Sequence, residues 1–401
     1  MKTLNRRDFL RTSGAAALFA ATPGLAYAQV AGGLAPFTDY KALVCVFLFG
    51  GNDSFNMLVP NTTAEYNAYA ASRQNMAILQ QDLLPITPAS SAGPDFGLHP
   101  AMAATQQMFL DGNAAFVTNV GPLVEPTTKD QYYQGSVILP PQLFSHNDQQ
   151  DQWTSLRGNL PSKTGWAGRM ADLIRDGVAG QQMATNASLF GTNLFQSADE
   201  TVAYVMGPNG PLQFQGMSSN PDDPRYAAFE AFNKVVDASY DSIYERGYAA
   251  VQRRAIDAAD LVTEAIQGVG DLNTVFPASQ LGTQLETVAK IIAARDALSM
   301  QRQIFFVATG GFDSHDDQVQ NQPGLLGGIS DAIAAFHAAT QELQVDQMVT
   351  TFTQSDFGRT LTSNGDGTDH AWAGNQLVVG GAVSGGDLYG SYPVLEIDGT
   401  E

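Results

Sequence analysis

Residues 42–49, with the sequence ALVCVFLF, form a continuous apolar run that ends at Gly50-Gly51-Asn52-Asp53-Ser54. A run that is apolar at every position is typical of a central strand in a parallel sheet covered by helices on both faces. Similar runs recur at 115–120, 304–309, 348–352 and 376–379, and glycine or polar loop residues follow each of them. The sequence therefore predicts a series of buried strands.

Segments with helical spacing lie between these runs. Leu281, Leu285, Val288 and Ile292 fall on one helix face just before the run at 304–309, and residues 329–343 predict a helix before the run at 348–352. Alternating strands and helices predict an α/β fold, a doubly wound and mainly parallel sheet with helices on both faces.

One region departs from this alternation. Residues 185–224 are rich in Asn, Gly, Pro and Ser, and a long helical stretch follows at 225–268. We interpret 185–275 as an insertion or cap on a single domain that spans 29–401. The chain stops at Glu401 after VLEIDGTE, and the family resemblance described below implies that it is a shortened form of a longer protein.

The first 28 residues predict an export signal. Paired Arg6 and Arg7 precede an apolar stretch at 14–28, which closes on the small-x-small pattern Ala26-Tyr27-Ala28. This pattern resembles a twin-arginine signal peptide, and the alternatives are an ordinary Sec signal or a short amphipathic helix. It predicts export by the twin-arginine machinery to the periplasm or the medium, a route that carries proteins already folded around a metal or cofactor.

The composition limits the partners. The 401 residues include 20 Lys and Arg against 40 Asp and Glu, a formal net charge of −20. Such a surface excludes nucleic acid and anionic membrane as natural partners and favours cations. A single cysteine, Cys45, excludes an intramolecular disulfide, and the apolar stretches are too short for a stable membrane span.

Acidic clusters follow the predicted strands. Asp53 follows the first run, Asp313 and His315 follow the run at 304–309, and Asp356 follows the run at 348–352. His370, in a further cluster at 366–370, precedes the last run. Ligands of open α/β sheets bind beyond the carboxyl ends of the strands, and carboxylate and imidazole groups there suit a divalent metal ion. The alternative for any one of these acids is an ordinary turn or helix cap.

At these residues the sequence resembles the bacterial family known as domain of unknown function 1501, whose members are usually exported by the twin-arginine route. The stretches that carry the resemblance are FLFGGNDSFNMLVP at 47–60, LHPAM at 98–102, LFSHNDQQDQW at 143–153, GWAGRM at 165–170, GGFDSHDDQ at 310–318, SDFGRT at 355–360 and DHAWAGNQLVVGGAV at 369–383. The family in turn is similar to the alkaline phosphatase and sulfatase superfamily.

That resemblance implies an alkaline-phosphatase-like fold and a hydrolase of phosphate or sulfate esters. It implies a divalent metal ion, with Zn, Mn and Ca as candidates, and the implied ligands are Asp53, Asp313, His315, Asp356 and His370. Ser145 is the implied nucleophile, with Ser54 as a competitor. Arg359 or a second metal would offset charge on the ester oxygens.

Several residues keep alternatives open. His146 could be a metal ligand, a general acid or a hydrogen-bonded loop residue, and Arg359 could instead pair with an acid. Phe357 stands where the superfamily commonly has a metal-binding histidine. The expected function is therefore an exported metal-dependent hydrolase that acts on a small-molecule or glycan ester. The alternatives are a non-catalytic binding or assembly protein on a degenerate hydrolase fold, and a Ca²⁺ site that only stabilises the chain.

Overall fold

A computed structural model describes residues 34–90, 95–212, 216–218 and 220–396. The predicted signal peptide at 1–28 lies outside the described residues. The strands are β1 (Lys41–Leu48), β2 (Leu58–Pro60), β3 (Leu84–Ile86), β4 (Phe96–Leu98), β5 (Ala114–Val120), β6 (Asn186–Ser188), β7 (Tyr204–Val205), β8 (Arg302–Thr309), β9 (Val349–Ser355), β10 (Gly374–Val379) and β11 (Leu388–Tyr389).

The helices surround this sheet system. They are α1 (Ser54–Met57), α2 (Thr63–Arg73), α3 (Ala103–Leu110), α4 (Lys129–Gln134), α5 (His146–Ser155), α6 (Trp166–Ile174), α7 (Tyr226–Val236), α8 (Ile243–Val269), α9 (Gln280–Ala293) and α10 (Gln318–Glu342). The predicted strands and the helix at 281–292 are confirmed, with small shifts in their bounds. Helix α10 begins at Gln318, well before the predicted residue 329. The prediction missed its first turns because Pro323 and Gly324 weaken the helical pattern there.

The main sheet has eight strands in the order β11-β5-β10-β9-β1-β8-β6-β7. β10 pairs antiparallel with both of its neighbours, and all the other pairs are parallel. The mostly parallel α/β fold predicted from the sequence is confirmed. β2, β4 and β3 form a separate antiparallel sheet of three strands.

The central strand β1 is covered on both faces. Val44, Val46 and Leu48 belong to a core that includes residues of α9 and α10, whereas Cys45 and Phe47 point to the other face, in a cluster that includes α6. Alternate residues of a strand face opposite sides of a sheet, so both faces of β1 are buried from solvent. Burying each large apolar side chain contributes about 1.5–3 kcal/mol to the free energy of folding, and this burial fixes the position of the strand.

Residues 185–275 hold two kinds of structure. β6 and β7 form the edge of the main sheet, where β6 pairs with β8. α7 and α8 form the helical part, in which α8 packs against α9 and α7. Among the described residues, none of these helices combines the length and hydropathy needed to cross a bilayer.

Candidate metal centre

The centre lies at the carboxyl edge of the sheet because three strands end there in register. Leu48, the last residue of β1, pairs with Thr309 of β8 on one side and with Ser355 of β9 on the other. The loops after these strands therefore leave the sheet at one level. β10 runs in the opposite direction, so the loop that precedes it begins at the same edge.

Three side chains from three loops meet above this edge. One ligand atom from each of His146, Asp313 and His370 lies within 4.8 Å of the other two, a spacing that could hold a metal ion. His146 is the first residue of α5 and has Nε2 3.4 Å from Oδ2 of Asp313. Nε2 of His370 lies 3.3 Å from Oδ1 of the same carboxylate.

His315 extends this group to four. Its Nε2 lies 3.0 Å from Oδ1 of Asp313 and 2.9 Å from Nε2 of His370. Gly311, with φ of +100°, turns the chain after β8, just before Asp313 and His315. We call His146, Asp313, His315 and His370 the histidine cluster.

Each imidazole of the histidine cluster is held by its other nitrogen. Nδ1 of His146 lies 2.7 Å from Oδ2 of Asp356, and Nδ1 of His370 lies 2.8 Å from the backbone carbonyl oxygen of Phe144. Nδ1 of His315 lies 3.2 Å from Oδ1 of Asp369. Metal-binding histidines in proteins are oriented in this way, with one nitrogen on an acceptor and the other directed at the ion.

These partners determine which nitrogens carry lone pairs. A carbonyl oxygen and an ionised carboxylate only accept hydrogen bonds, so Nδ1 of each ring carries the proton and donates it. In the neutral rings Nε2 then presents a lone pair. The Nε2 atoms of His315 and His370 lie 2.9 Å apart beside the Asp313 carboxylate, an arrangement that a cation bound among the three groups would satisfy.

Asp356 is buried beneath His146. Its Oδ2 also accepts hydrogen bonds from Nε2 of Gln150, at 3.0 Å, and from the backbone N–H of Gly50, at 3.1 Å. Its Oδ1 is buried with no hydrogen-bond partner among the described residues. Asp356 therefore contacts the histidine cluster through Nδ1 of His146.

Arg359 is completely buried and holds Asp313 in place. Its guanidinium donates to Oδ1 of Asp313 and to the carbonyl oxygens of Gly50, Gly51, Phe312 and Thr368. Burial tends to raise the pKa of Asp313, but the hydrogen bond and charge of Arg359 outweigh it, and the pKa lies below its ordinary value. The carboxylate is thus kept ionised, and Arg359 fastens the three loops together.

Asp53 lies in a neighbouring polar network. The guanidinium of Arg73, at the end of α2, donates to Oδ2 of Asp53, and so does the amide of Gln318, at the start of α10. Arg73 also donates to the carbonyl oxygen of Thr360, at 2.9 Å. The structure therefore balances the charge of Asp53 with a buried arginine and does not bring this residue into the histidine cluster.

Phe357 forms the apolar wall of the centre. Its ring lies 4.4 Å from the ring of His370 and 4.8 Å from that of His146, measured between centroids. Gly51 has φ of +82°, and a Cβ there would collide with the Phe357 ring. The backbone must approach the ring this closely, which is why glycine occupies this position.

The two candidate nucleophiles have different surroundings. Ser145 immediately precedes His146, and its hydroxyl donates to Oδ2 of Asp148 at 2.8 Å. Ser54 is buried, and its Oγ accepts a 2.7 Å hydrogen bond from the backbone N–H of Asn375. Ser54 thus links α1 to β10 and is closed to an incoming ester, whereas Ser145 is partly exposed at the edge of the histidine cluster.

The sequence patterns did not single out several of these partners. Asp369 lies inside the predicted acidic cluster, directly before His370, and that adjacency was the available signal. Arg73 lies at the end of α2, away from the strand ends in the chain, whereas Gln318 is the last residue of the stretch GGFDSHDDQ, and the carbonyl of Phe144 carries no residue-type signal. Arginine and glutamine are common residues in helices, so only the folded chain reveals that Arg73 and Gln318 contact Asp53.

Comparison with known proteins identifies the family. The family model described as "Protein of unknown function (DUF1501)" matches residues 40–399. The chain belongs to this family. A comparison with curated proteins finds no match to this DUF1501 protein. Among solved structures it is similar to a 2-O GAG sulfatase, with 10% sequence identity and a TM-score of 0.28. The match covers 85% of this chain and 64% of the sulfatase, so the DUF1501 protein spans less than two thirds of that length.

Proposed function

We propose that this DUF1501 protein is an exported, metal-dependent hydrolase of phosphate or sulfate esters. The observation that carries the proposal is the histidine cluster, where three imidazole Nε2 atoms converge on one carboxylate and every Nδ1 has an acceptor. Such a donor set fits Zn²⁺ or Mn²⁺ and does not fit Ca²⁺, which prefers oxygen ligands.

The residues of the cluster and their hydrogen-bond partners would have separate roles in binding the metal ion. His146, His315 and His370 would supply nitrogen ligands, and Asp313 would supply an oxygen ligand. Asp356, Asp369 and the Phe144 carbonyl would orient the rings, and Arg359 would orient Asp313. A bound divalent ion supplies Lewis acidity toward an ester oxygen and lowers the pKa of a coordinated hydroxyl or water.

Ser145 is the hydroxyl best placed to attack an ester. It immediately precedes His146, the first residue of α5, and Asp148 accepts its hydrogen bond at 2.8 Å. Asp148 can therefore take the proton as the Ser145 oxygen bonds to phosphorus or sulfur and the P–O or S–O bond to the departing alcohol breaks. Water then hydrolyses the serine ester, which releases phosphate or sulfate and restores the hydroxyl. Arg359 is enclosed by protein, so its contribution to the reaction is to hold Asp313 rather than to contact the substrate.

Metal content is the first test. The full chain is expressed with its own leader, purified without chelator, and examined by elemental analysis. We expect about one Zn or Mn per chain, and His370→Ala to lose it. His337→Gln is the matched control, since His337 lies within α10 outside the cluster. Wild-type protein without a bound transition metal would overturn the proposal.

Activity is the second test. Nitrophenyl phosphate and nitrophenyl sulfate are offered to the metal-loaded wild type, to Ser145→Ala and to Ser90→Ala, an exposed serine hydrogen-bonded to Asp387. We expect turnover of at least one ester, a loss of about 10³-fold or more in Ser145→Ala, and no change in Ser90→Ala. Equal rates in all three proteins would exclude Ser145 as the nucleophile.

A non-catalytic binding protein is the second candidate function. It is favoured by Phe357, whose ring packs against two of the cluster histidines and takes up space beside them. A protein that holds its metal but leaves both esters intact would support this candidate.

Export through the twin-arginine route is part of the proposal. It rests on Arg6, Arg7 and the Ala26-Tyr27-Ala28 pattern of the sequence. The test joins residues 1–28 to a reporter that is active only outside the cytoplasm. We expect export that stops when Arg6 and Arg7 are both replaced by Lys, and export that persists in the double variant would contradict it.

A further inference from the structure

Three aromatic side chains lie together next to the histidine cluster. Tyr133 is 75% exposed and Tyr132 is 36% exposed, both on the short helix α4. The ring centroids of Tyr132 and Tyr133 are 5.3 Å apart, and those of Tyr132 and Phe144 are 6.1 Å apart. We call these three residues the aromatic platform. The mechanism proposed above uses the backbone carbonyl of Phe144 but none of the three aromatic rings.

The chain holds the platform rigid although it lies on the surface. A capping box begins α4, in which Thr128 and Gln131 each bond the backbone N–H of the other. Gly135 ends the helix in the left-handed conformation, with φ of +61°. So short a helix would otherwise fray, and the two caps hold its backbone in place, while the contacts of the Tyr132 ring with Tyr133 and Phe144 orient the rings.

The platform is joined directly to the histidine cluster through Phe144. The Phe144 ring packs on Tyr132, and its carbonyl oxygen accepts the hydrogen bond from Nδ1 of His370. Phe144 has φ of +79°, a conformation that costs a non-glycine residue about 1–3 kcal/mol. This strain aims the carbonyl at His370 while the side chain points to Tyr132, so a ligand on the platform would lie beside the cluster.

The ring geometry indicates the kind of ligand. Tyr132 makes angles of 73° with Tyr133 and 67° with Phe144, so the platform offers single open ring faces and no parallel slot for a planar base. A pyranose ring packs its C–H face on one aromatic ring and bonds outward through its hydroxyls. The net charge of −20 opposes polyanionic chains, which favours a glycan that is otherwise neutral.

We propose that the aromatic platform is a sugar-binding subsite and that the substrate is an ester carried on an otherwise neutral glycan. The inference rests on the proposed function for the ester, but the sugar subsite stands on the platform alone. Tyr133 would stack on the sugar ring, and Tyr132 would support it and fix its distance from the histidine cluster.

The test measures binding of sugars that carry no ester. Cellohexaose, maltohexaose and chitohexaose are titrated into the metal-loaded protein and followed by calorimetry and by ligand-observed NMR. We expect one of them to bind, and Tyr133→Ala to raise its Kd about five- to tenfold. Tyr248→Ala is the matched control, because Tyr248 is a similarly exposed tyrosine on α8, and it should leave the Kd unchanged.

Three results would overturn the inference: no binding of any hexasaccharide, an unchanged Kd in Tyr133→Ala, or tighter binding of adenosine than of any sugar. Thermal melting of each variant establishes that it is folded. Because ester-free sugars are used, binding that persists in a protein without hydrolysis counts against the proposed function and supports the sugar subsite.

Discussion

The Nε2 atoms of His315 and His370 lie 2.9 Å apart, although α10, β9 and the loop after β9 separate these residues in the chain. Nδ1 of each ring lies within hydrogen-bond distance of an acceptor, which leaves both Nε2 atoms directed at the space beside Asp313. Removing the cation that we propose between them should destabilise the fold. A ligand at a hundredfold excess over its Kd contributes about 2.7 kcal/mol.

We therefore expect a chelator to lower the Tm of the wild type by several degrees, and Zn²⁺ or Mn²⁺ to restore it. Differential scanning fluorimetry measures the shift. His370→Ala should melt at the same temperature with and without chelator. Restoration by Ca²⁺ alone would instead indicate a structural calcium site.

Asp356→Asn tests whether this residue orients His146. The variant keeps the size of the side chain but weakens the 2.7 Å hydrogen bond to Nδ1, so metal affinity should fall about 10- to 100-fold. Asp369→Asn is the comparison, because Asp369 holds His315 at an exposed position and should cost less than tenfold. Competition with a chelator of known affinity gives both values. Equal losses of metal affinity would contradict the expectation that the buried Asp356 orients its histidine more strongly than the exposed Asp369.

Arg359→Ala tests the clamp that joins the loops. The change removes the guanidinium that donates to four carbonyl oxygens and to Asp313, and it should cost roughly 3–5 kcal/mol of unfolding free energy, because each buried acceptor left unsatisfied costs about 1–3 kcal/mol. Lys290→Ala removes a partly exposed ion pair with Glu286 and should cost about 0.5 kcal/mol. Urea unfolding measures both, and similar losses in the two variants would show that Arg359 is not a clamp.

Gly51→Ala tests the approach of the backbone to Phe357. Alanine is strained at φ of +82°, and its Cβ would push the ring toward His146 and His370, so we expect a loss of roughly 2–3 kcal/mol. Adding Phe357→Ala should relieve the collision but not the backbone strain. Gly180→Ala, at a position with open space, should change little. Full stability of Gly51→Ala would contradict the packing described here.

His99 predicts a pH dependence of stability. Burial lowers the pKa of His99 to about 4, against about 6.5 for an unfolded histidine, although the charge of Asp53 opposes the shift. The unfolded chain therefore takes up the proton first as the pH falls. The contribution of His99 is fully present above about pH 6.5 and is lost progressively as the pH falls toward 4.

Unfolding free energies in urea at pH 7.5, 6 and 5 measure this effect. The wild type should lose stability over the interval, and His99→Gln should lose less. The hydrogen bond from the backbone N–H of Ala101 to Nδ1 of His99 favours the neutral ring and gives the same sign. A variant with the same slope as the wild type would contradict the assignment.

The strands and the position of the centre could be predicted from the sequence because they depend on local patterns. Continuous apolar runs form buried strands, and polar residues directly after them must lie at the edge of the sheet. Asp313, His315 and His370 follow or precede such runs, and they do meet in the structure. Their proximity follows from the common direction of β1, β8 and β9 and the reversal of β10.

The partner of each acid was decided only by the tertiary structure. Asp53 and Asp356 carry the same sequence signal, but Asp53 meets Arg73 from α2 and Asp356 meets His146 from α5. Those helices come from distant parts of the chain, and their approach depends on how α2 and α5 pack above the sheet. Strand patterns therefore determined which acids lie at the edge of the sheet. Helix packing decided that the guanidinium of Arg73 neutralises Asp53 and that Asp356 faces His146.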